Sequence, residues 1–439
     1  MKYLKNFLYL LSLTGLLLLL SSCGGTEDTV EQYANAVSVK SYGAKGDGVA
    51  DDTQAFRDAF ATETSVLIPD GHYLIKSAIF LPSTLRVITG NGTIIGTGSS
   101  GIFTLNIKDK GINQLVINGL TFQYQPTKDT IFGAIYLNNA KVKNLTIKNC
   151  HFTSPEGARW GNAIKLVGKN TGKKKHRIDN ITIINNTFTN ITRAAIEVLV
   201  RGKDTKRSAE FPEWPAVNFD KTIVTNLNIS GNTFKHNRNT YHMPNEIFNP
   251  AISLSGAVNG TLIDDNEITG YYWGVELDGS VHTKITNNKI TTEHSALSIS
   301  HGADPEAGKT IIEGNTFSAS KEKVINAHGA RNISFINNKI TGLVYLRKSD
   351  HLHIKDNKFY SQQYTNIVIE DSLSCIITKN YIENTNTTSN GTIRGRGYSN
   401  NTNRVTHNKI YLKQQNGVIT NEDNASVVFE TNELLSSPQ

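Results

Sequence analysis

From about residue 37 the chain alternates apolar and polar positions with a period of two, and β-branched residues dominate the apolar positions. Successive side chains of a strand point to opposite faces, so this pattern predicts strands rather than helices. One motif recurs between residues 145 and 410: alternating β-branched residues, a polar pair that mostly ends in asparagine, and a further apolar residue. Its copies read LTIKNCHF, ITIINNTF, LNISGNTF, LIDDNEI, KITNNKI, IIEGNTF, SFINNKI, HIKDNKF, IITKNYI and VTHNKI.

The recurring asparagine predicts a solenoid. Several intervals between its copies are close to 22 residues, and a short fixed period of strands and turns is typical of stacked coils. Asparagine tolerates left-handed backbone angles, and its amide can bond to the asparagine of the next coil. We therefore interpret these positions as a stacked ladder at the turns, not as functional residues. They are Asn186, Asn232, Asn266, Asn288, Asn315, Asn338, Asn357, Asn380 and Asn408.

A second short strand precedes each asparagine motif, and its polar positions are predicted to face outward. Equivalent positions of successive parallel coils stack about 4.8 Å apart, so these side chains should form one surface stripe. Aligned on the motif, the outward positions are Tyr136, Asn138, Lys165, Glu197, Ser253, Ser255, Glu276, Asp278, Ser298, Ser300, Asn326, His328, Tyr345 and Arg347, followed by Arg394 and Arg396.

The segment VSVKSYGAKGDGVADDTQAFRDAFA predicts a strand, a glycine-rich turn and a short helix from about Asp52 to Ala61, capped by Asp51 or Asp52. VLIPDGHYLI then predicts two strands around a turn. Together these segments resemble the opening of the pectate-lyase-like superfamily. The resemblance implies an all-β, right-handed parallel β-helix over residues 37–439 with a short N-terminal capping helix. This fold hosts lyases, hydrolases, esterases and depolymerases, so the chemistry must come from the site.

The first 36 residues indicate export. Two lysines precede an apolar run from Phe7 to Leu20, which is typical of a signal peptide and too short for an ordinary membrane span. Leu20-Ser21-Ser22-Cys23 resembles the bacterial lipobox, which implies cleavage after residue 22, a lipid on Cys23 and a tether over residues 23–36. We expect an exported lipoprotein at the outer membrane or cell surface, anchored by this lipid alone. The alternative is a plain signal peptide with a chance cysteine.

The charge of the chain favours a polyanionic partner. The net charge is +7 over the whole chain and +5 once Lys2 and Lys5 leave with the signal peptide. Insertions at residues 155–179, 200–222 and 235–250 concentrate basic charge beside the stripe, and Trp160, Trp214 and Tyr241 in them could stack on sugar rings. We predict an acidic polysaccharide as partner, no nucleic acid because no such motif is present, and a monomer. The alternative for the lysines at 173–175 is a solvated loop.

The stretch YYWGVELDGS places Glu276 and Asp278 on one face of a strand, about 6.6 Å apart along the backbone. Inverting glycosidases hold two carboxyl groups roughly 6.5 to 9.5 Å apart, so that a water fits between them. His301 follows the strand of the next coil and could reach the same space. The alternative is that both acids simply lie on the solvated face of a strand.

This arrangement resembles the iota-carrageenase family of glycoside hydrolases, which implies that Glu276 is the general acid, Asp278 the general base and His301 a positioning group. The sequence departs from the family pattern at Ser253, where the family has glutamine, and near Asn326 and His328, where it has an acid. A large domain inserted in some members has no counterpart here.

Seven further stripe residues and one residue of an adjacent insertion are predicted to bind substrate. The stripe residues are Lys165, Glu197, Ser253, Asn326, His328, Tyr345 and Arg347, and the insertion residue is Arg201. A polysaccharide lyase is the second hypothesis, with Arg347, Arg394, Lys165 or His328 as base or neutralising cation. A non-catalytic surface glycan-binding protein is the third. The stripe has no tight aspartate cluster, so we predict no certain cofactor and leave a structural or activating calcium open.

Overall fold

The computed structural model describes residues 35–97, 101–106, 111–124, 133–154, 161–170, 178–202, 224–237, 249–256, 258–300, 310–362, 365–386, 392–397, 402–413, 418–423 and 425–439. Residues Val37–Gln439 form one compact unit, separate from Met1–Ala36. This unit is a right-handed parallel β-helix, as predicted. The division of the N-terminus into signal peptide and tether stays a prediction.

Each coil contributes strands to three parallel faces, and the strands are numbered here in chain order. Face 1 is a 15-stranded sheet. It contains β1 (Val37–Ser38), β3 (Ser65–Ile68), β6 (Val87–Gly90), β9 (Leu115–Asn118), β12 (Val142–Lys148), β15 (Ile178–Ile184), β18 (Val224–Ser230), β21 (Val258–Asp264), β24 (Lys284–Thr286), β27 (Thr310–Glu313), β29 (Arg331–Ile336), β31 (Asp350–Lys355), β34 (Ile376–Thr378), β37 (Arg404–Thr406) and β40 (Val428–Glu430).

Faces 2 and 3 are joined into one 26-stranded sheet, because β28 and β30 continue from face 2 into face 3. Face 2 contains β2 (Asp47–Asp51), β4 (His72–Ile75), β7 (Thr93–Gly96), β10 (Thr121–Tyr124), β13 (His151–Thr153), β16 (Thr187–Thr189), β19 (Thr233–Lys235), β22 (Glu267–Thr269), β25 (Lys289–Thr292), β28 (Thr316–His328), β30 (Lys339–Arg347), β32 (Lys358–Ser361), β35 (Tyr381–Asn384), β38 (Lys409–Leu412) and β41 (Glu433–Leu435).

Face 3 carries the stripe of outward polar residues. It contains the C-terminal parts of β28 and β30 together with β5 (Ile79–Phe80), β8 (Phe103–Asn106), β11 (Gly133–Asn138), β14 (Asn162–Asn170), β17 (Ile196–Gly202), β20 (Pro250–Ser255), β23 (Trp273–Asp278), β26 (Ser295–Ser300), β33 (Ile367–Glu370), β36 (Ile393–Arg396) and β39 (Ile419–Asn421).

The helix α1 (Thr53–Thr62) covers the N-terminal end of the coils, preceded by a short 3-10 turn at Val39–Tyr42. Asp51 caps α1, because its Oδ1 accepts a hydrogen bond from the Thr53 backbone N–H at 3.0 Å. Asp52 occupies the N-cap position without a side-chain capping bond. Its carboxylate instead accepts the backbone N–H groups of Lys45 and Gly46, which ties the helix to the glycine-rich turn.

Inside the coil, equivalent apolar side chains stack on one another. Phe122, Phe152, Phe188 and Phe234 lie on successive strands of face 2, with ring centroids 4.9, 5.1 and 4.6 Å apart. The parallel register imposes this arrangement, since a side chain that points inward in one coil must meet its counterpart in the next. All four phenylalanines are buried, so the stack contributes hydrophobic stabilisation along the axis.

The asparagine ladder is confirmed. The Asn315 side-chain amide donates to Asn338 Oδ1 at 2.9 Å and to the Ile285 carbonyl at 2.8 Å, while its Oδ1 accepts from Asn288. The same contacts repeat from Asn186 to Asn408 and continue to Asn432. A buried amide that is fully hydrogen-bonded avoids the cost of an orphaned polar group.

The backbone part of the ladder interpretation is wrong by one residue. The left-handed conformation belongs to the position before each ladder asparagine, as in Asn185, Asn287 and Asn337, where φ is 54° to 55°. Glycine takes this position in other coils, for example at Gly314. Asparagine recurs at the ladder position because it bonds to the neighbouring coils, and not because it accepts a positive φ.

Cys150 and Cys375 are buried free thiols. Burial raises the pKa of each thiol to about 12, so both stay protonated and unreactive near neutral pH. Among the described residues, no helix is long and apolar enough to cross a membrane.

Replacing a ladder asparagine should weaken the fold strongly. Asn315→Ala removes bonds to two neighbouring coils and leaves buried partners unsatisfied, so we expect a loss of about 2 to 4 kcal/mol in the free energy of unfolding. Asn228→Ala, on the half-buried outer side of β18, is the matched control and should cost under about 1 kcal/mol. Chemical denaturation of both variants measures the difference, and equal midpoints would contradict the structural role of the ladder.

Candidate active site on face 3

Two parallel rows of outward positions run along face 3, in the register predicted from the sequence. We call them the Glu276 row and the Asp278 row. The Glu276 row consists of Tyr136, Lys165, Glu197, Ser253, Glu276, Ser298, Asn326, Tyr345, Val368 and Arg394. The Asp278 row consists of Asn138, Val167, Leu199, Ser255, Asp278, Ser300, His328, Arg347, Glu370 and Arg396.

Serines flank the two carboxylates on both sides. Glu276 pairs in register with Ser253 and Ser298, and Asp278 pairs with Ser255 and Ser300. Because a serine side chain is short, these positions leave space above the strands next to the two acids. The next coils carry larger side chains, Glu197 and Leu199 on one side and Asn326 and His328 on the other. The two acids are therefore surrounded by short hydroxyl side chains, with longer side chains one coil further away on each side.

Each carboxylate accepts a hydrogen bond from a different neighbouring strand. Ser253 Oγ donates to Glu276 Oε2 at 2.7 Å, and Ser300 Oγ donates to Asp278 Oδ1 at 3.1 Å. Glu276 is half-buried, and Asp278 is 9% exposed. The two serines restrict the rotation of the acids from opposite sides. Ser253 therefore supplies a hydrogen-bond donor to the residue predicted to be the general acid.

Several predicted site residues cannot be placed. His301, Trp160, Trp214 and Tyr241 lie outside the described residues, as do most of the basic insertions. The Arg201 backbone pairs with Lys169 between β17 and β14, whereas its side chain falls outside the description. The roles assigned to these residues stay predictions.

Lys165 and Glu197 differ from the expectation that they are exposed. Their side chains are only 1% and 6% accessible, and Lys165 Nζ lies 2.5 Å from Glu197 Oε2. Arg193 Nη2 lies 3.4 Å from Glu197 Oε1, and Asn162 donates to Oε2 at 3.1 Å. The parallel register places opposite charges on adjacent coils, and the resulting ion pair directs both side chains toward each other. The ion pair of Lys165 and Glu197 therefore lies beneath the exposed surface of the stripe and stabilises it.

Burial by itself would raise the pKa of the Glu197 carboxyl. The positive charges of Lys165 and Arg193 outweigh the burial and hold that pKa below its usual range. Glu197 is therefore ionised in the folded protein at neutral pH. A carboxyl with a lowered folded-state pKa contributes stability that is present above its unfolded pKa and is lost as the pH falls through the folded pKa.

The residues downstream of the acids form a polar and basic surface. Asn326, His328, Tyr345 and Arg347 follow in the two rows and are partly exposed. Glu370, which lies next to Arg347 in the Asp278 row, was not predicted. Its strand reads Ile-Val-Ile-Glu, so the alternation of apolar and polar positions that marks other face 3 strands is absent there.

An aromatic group precedes the two acids and was also missed. Tyr272 and His294 stack with ring centroids 4.9 Å apart, and Trp273 Nε1 donates to His294 Nδ1 at 3.2 Å. All three side chains are half-buried at the corner between faces 2 and 3. The aromatic residues predicted to contact sugar rings lie in the insertions, whereas Tyr272 and Trp273 lie immediately before and at the start of β23. Within the described part of the chain, no group of three or more His, Cys, Asp or Glu side chains is arranged to hold a metal ion.

Comparisons with known families agree with the fold. The family described as "Rhamnogalacturonase A/epimerase, pectate lyase-like" matches residues 36–206, and "Right handed beta helix region" matches residues 176–340. The chain is a right-handed parallel β-helix protein, and its N-terminal part is similar to the pectate-lyase-like family.

Individual relatives cover only parts of the chain. The pre-neck appendage protein of Bacillus phage phi29 is 32% identical over 133 residues, which are 28% of this chain and 15% of the phage protein. Polygalacturonase ADPG1 of Arabidopsis thaliana is 39% identical over 116 residues, which are 23% of this chain and 26% of the plant protein. The chain thus spans about a quarter or less of either relative's length.

Among solved structures, the A-module of the mannuronan C-5 epimerase AlgE6 from Azotobacter vinelandii is similar with a TM-score of 0.56. It is 12% identical, and the match covers 92% of this chain and 100% of that module. At this identity the likeness shows the fold alone.

Removing one partner of the Lys165–Glu197 pair should destabilise the fold. Lys165→Met leaves the buried Glu197 carboxylate with Arg193 as its more distant charged partner, so we expect a loss of about 3 to 5 kcal/mol in the free energy of unfolding. The double variant Lys165→Met/Glu197→Met should recover most of this loss. In the wild type, stability should fall as the pH drops below about 4, because Glu197 becomes protonated. The double variant should lack this pH-dependent loss of stability. If Lys165→Met instead lost glycan affinity while its stability stayed unchanged, the result would favour the predicted binding role of Lys165.

Proposed function

We propose that the protein is a glycoside hydrolase that cleaves an anionic polysaccharide lying along face 3, with inversion at the anomeric carbon. The observation that carries this proposal is the pair Glu276 and Asp278, which lie two residues apart on one strand and are flanked in register by serines on both neighbouring strands. Six described strands of face 3 precede β23 and six follow it, so a polymer along the stripe could bind on both sides of the pair.

In the proposed reaction Glu276 gives its proton to the glycosidic oxygen as the bond from that oxygen to the anomeric carbon breaks. A water oxygen bonds to the opposite side of that carbon, and Asp278 takes a proton from the water. The backbone spacing of about 6.6 Å fits an inverting arrangement better than the roughly 5 Å of retaining enzymes. Two neighbouring carboxyl groups favour different protonation states, since ionising one disfavours ionising the other.

The substrate class rests on two arguments. One relative, which matches over part of the chain, is a polygalacturonase, so the related proteins include a polysaccharide-acting enzyme. The basic net charge of +5 after loss of the signal peptide favours an anionic polymer. The sharpest version of the proposal is an iota-carrageenase-like activity on a sulfated galactan.

Two other functions use the same stripe. A polysaccharide lyase would act on a uronate-containing glycan with Arg347 or His328 near the reacting sugar, and its products would carry an unsaturated chromophore. A non-catalytic glycan-binding protein would bind the polymer without releasing new ends. A panel of carrageenans, alginate, pectate and glycosaminoglycans, with product analysis, distinguishes the three functions.

The carboxylate pair gives the central test of the hydrolase. Glu276→Gln and Asp278→Asn keep the shape of the side chains but cannot transfer the proton, so each should lower turnover at least about a hundredfold. Folding and glycan binding should be retained. Reducing-end assays measure the rate, and the pH profile of that rate should be bell-shaped. NMR of the first product should show inverted anomeric configuration.

Glu267→Gln is the matched control. Glu267 lies in the same coil on face 2, partly exposed and 3.4 Å from Lys289, so its replacement should leave turnover unchanged. Near-normal turnover in both stripe variants would show that the pair is only the solvated face of a strand. An unsaturated product would favour the lyase.

We also propose that the protein is held at the bacterial surface by a lipid on Cys23. The support is the apolar run followed by Leu20-Ser21-Ser22-Cys23. Cys23→Ala should move the protein from the membrane fraction to the soluble exported fraction without changing its specific activity. Cys150→Ala is the control and should stay with the membrane. Equal distribution of the wild type and Cys23→Ala would contradict the anchor.

A further inference from the structure

A basic cluster lies on the two rows, three coils beyond the carboxylate pair. Tyr345 Oη donates to Glu370 Oε2 at 2.6 Å, and Arg347 Nε lies 3.2 Å from Glu370 Oε1. Lys323 Nζ lies 4.1 Å from the centre of the Tyr345 ring. Glu370 is thus the common partner of a tyrosine and an arginine, and its side chain is only 18% exposed.

The next coils extend the cluster. Arg396 connects two carboxylates, with Nη1 3.8 Å from Glu370 Oε2 and Nε 3.2 Å from Glu422 Oε2. Arg394 Nε donates to Glu422 Oε1 at 2.8 Å. The cluster, defined here as Lys323, Tyr345, Arg347, Glu370, Arg394, Arg396 and Glu422, therefore forms one connected surface.

The cluster carries more positive than negative charge. Lys323, Arg347, Arg394 and Arg396 supply four cations, and Glu370 and Glu422 supply two carboxylates, which leaves two positive charges uncompensated within the cluster. The side chains of Arg347 and Arg396 are each 43% exposed. Among the described residues, Arg347 forms an ion pair through Nε, so its two terminal amino groups can point toward two oxygens of a sulfate or carboxylate group.

We propose that this cluster is a subsite for an anionic substituent of the polysaccharide, either a sulfate ester or a carboxylate. Three strand spacings of about 4.8 Å separate Asp278 from Arg347 in the same row, so the anion would bind about 14 Å from the reacting bond. The identity of the ligand as substrate rests on the proposed function, whereas the anion site itself does not.

Glu370 lies against one edge of the Arg347 guanidinium, with Oε1 3.2 Å from Nε. The contact is an ion pair and not a hydrogen bond, because Arg347 Nε has no hydrogen-bond partner in the part of the chain that the structure describes. The ion pair restricts the directions open to the guanidinium and so lowers the ordering cost of binding. Tyr345 donates to the other oxygen of the same carboxylate. Burial, together with the Glu370 carboxylate, raises the pKa of Tyr345 to about 12, so its hydroxyl remains a donor across the physiological range.

Binding measurements with the full folded domain test the subsite. The probes are oligosaccharides of iota-carrageenan for sulfate, oligogalacturonate for carboxylate and neutral dextran. Arg347→Gln should weaken binding of the recognised polyanion about tenfold to a hundredfold, with a smaller dependence on salt. Arg347→Gln/Arg396→Gln should weaken it further, and Arg347→Lys should recover only part of the affinity because lysine lacks the planar fork.

Arg404→Gln is the matched control. Arg404 is 53% exposed and lies 3.6 Å from Glu430 on face 1, away from the stripe, so this variant should bind as the wild type does. The preferred oligosaccharide decides between sulfate and carboxylate.

The outcomes separate this subsite from the hydrolase. Wild-type affinity in Arg347→Gln and in the double variant, or binding of no polyanion by the wild type, would overturn the subsite. If Glu276→Gln loses turnover while Arg347→Gln binds normally, the hydrolase stands and the subsite falls. If Arg347→Gln loses binding while Glu276→Gln keeps its turnover, the subsite stands and the proposed catalytic pair falls.

Discussion

The in-register stacking of parallel coils is the constraint on which the rest of this structure depends. Each strand bonds to its counterpart in the next coil, so any residue type that recurs at a given position meets its own kind about 4.8 Å away. For an apolar side chain this produces a continuous core, as in the stack from Phe122 to Phe234. For a buried asparagine it produces a hydrogen-bonded ladder, in which Asn315 contacts both neighbouring coils.

The same constraint governs charges on face 3. A charged residue lies within reach of the adjacent coils, so opposite charges pair across coils, as in Lys165 with Glu197 and Arg347 with Glu370. The coils around Glu276 and Asp278 place serines at all four adjacent positions. The stripe thus changes from a buried ion pair, through two acids among hydroxyl groups, to a surface with surplus positive charge. This order along the axis gives the proposed polymer-binding surface two distinguishable ends.

Much of the fold follows from the sequence because the repeat is periodic and local. The alternation predicted the strands, the asparagine motif predicted the ladder, and alignment on that motif gave both rows in the correct register. The errors concern properties that periodicity does not encode. A pattern of alternation cannot show that neighbouring side chains will bury Lys165 and Glu197, and it does not say which residue of a turn takes the positive φ.

The candidate site was predictable only where its residues lie on strands. Glu276 and Asp278 could be assigned to one face because strand geometry fixes their directions, and their serine neighbours follow from the register. Residues at corners and in insertions lack this regularity, so the Tyr272–His294 stack was missed. Sequence alone also could not identify Glu370 as the shared partner of Tyr345 and Arg347, since that role requires three side chains from two coils to converge. Register therefore determines which positions are neighbours, while side-chain packing determines whether neighbours are buried, paired or open to a ligand.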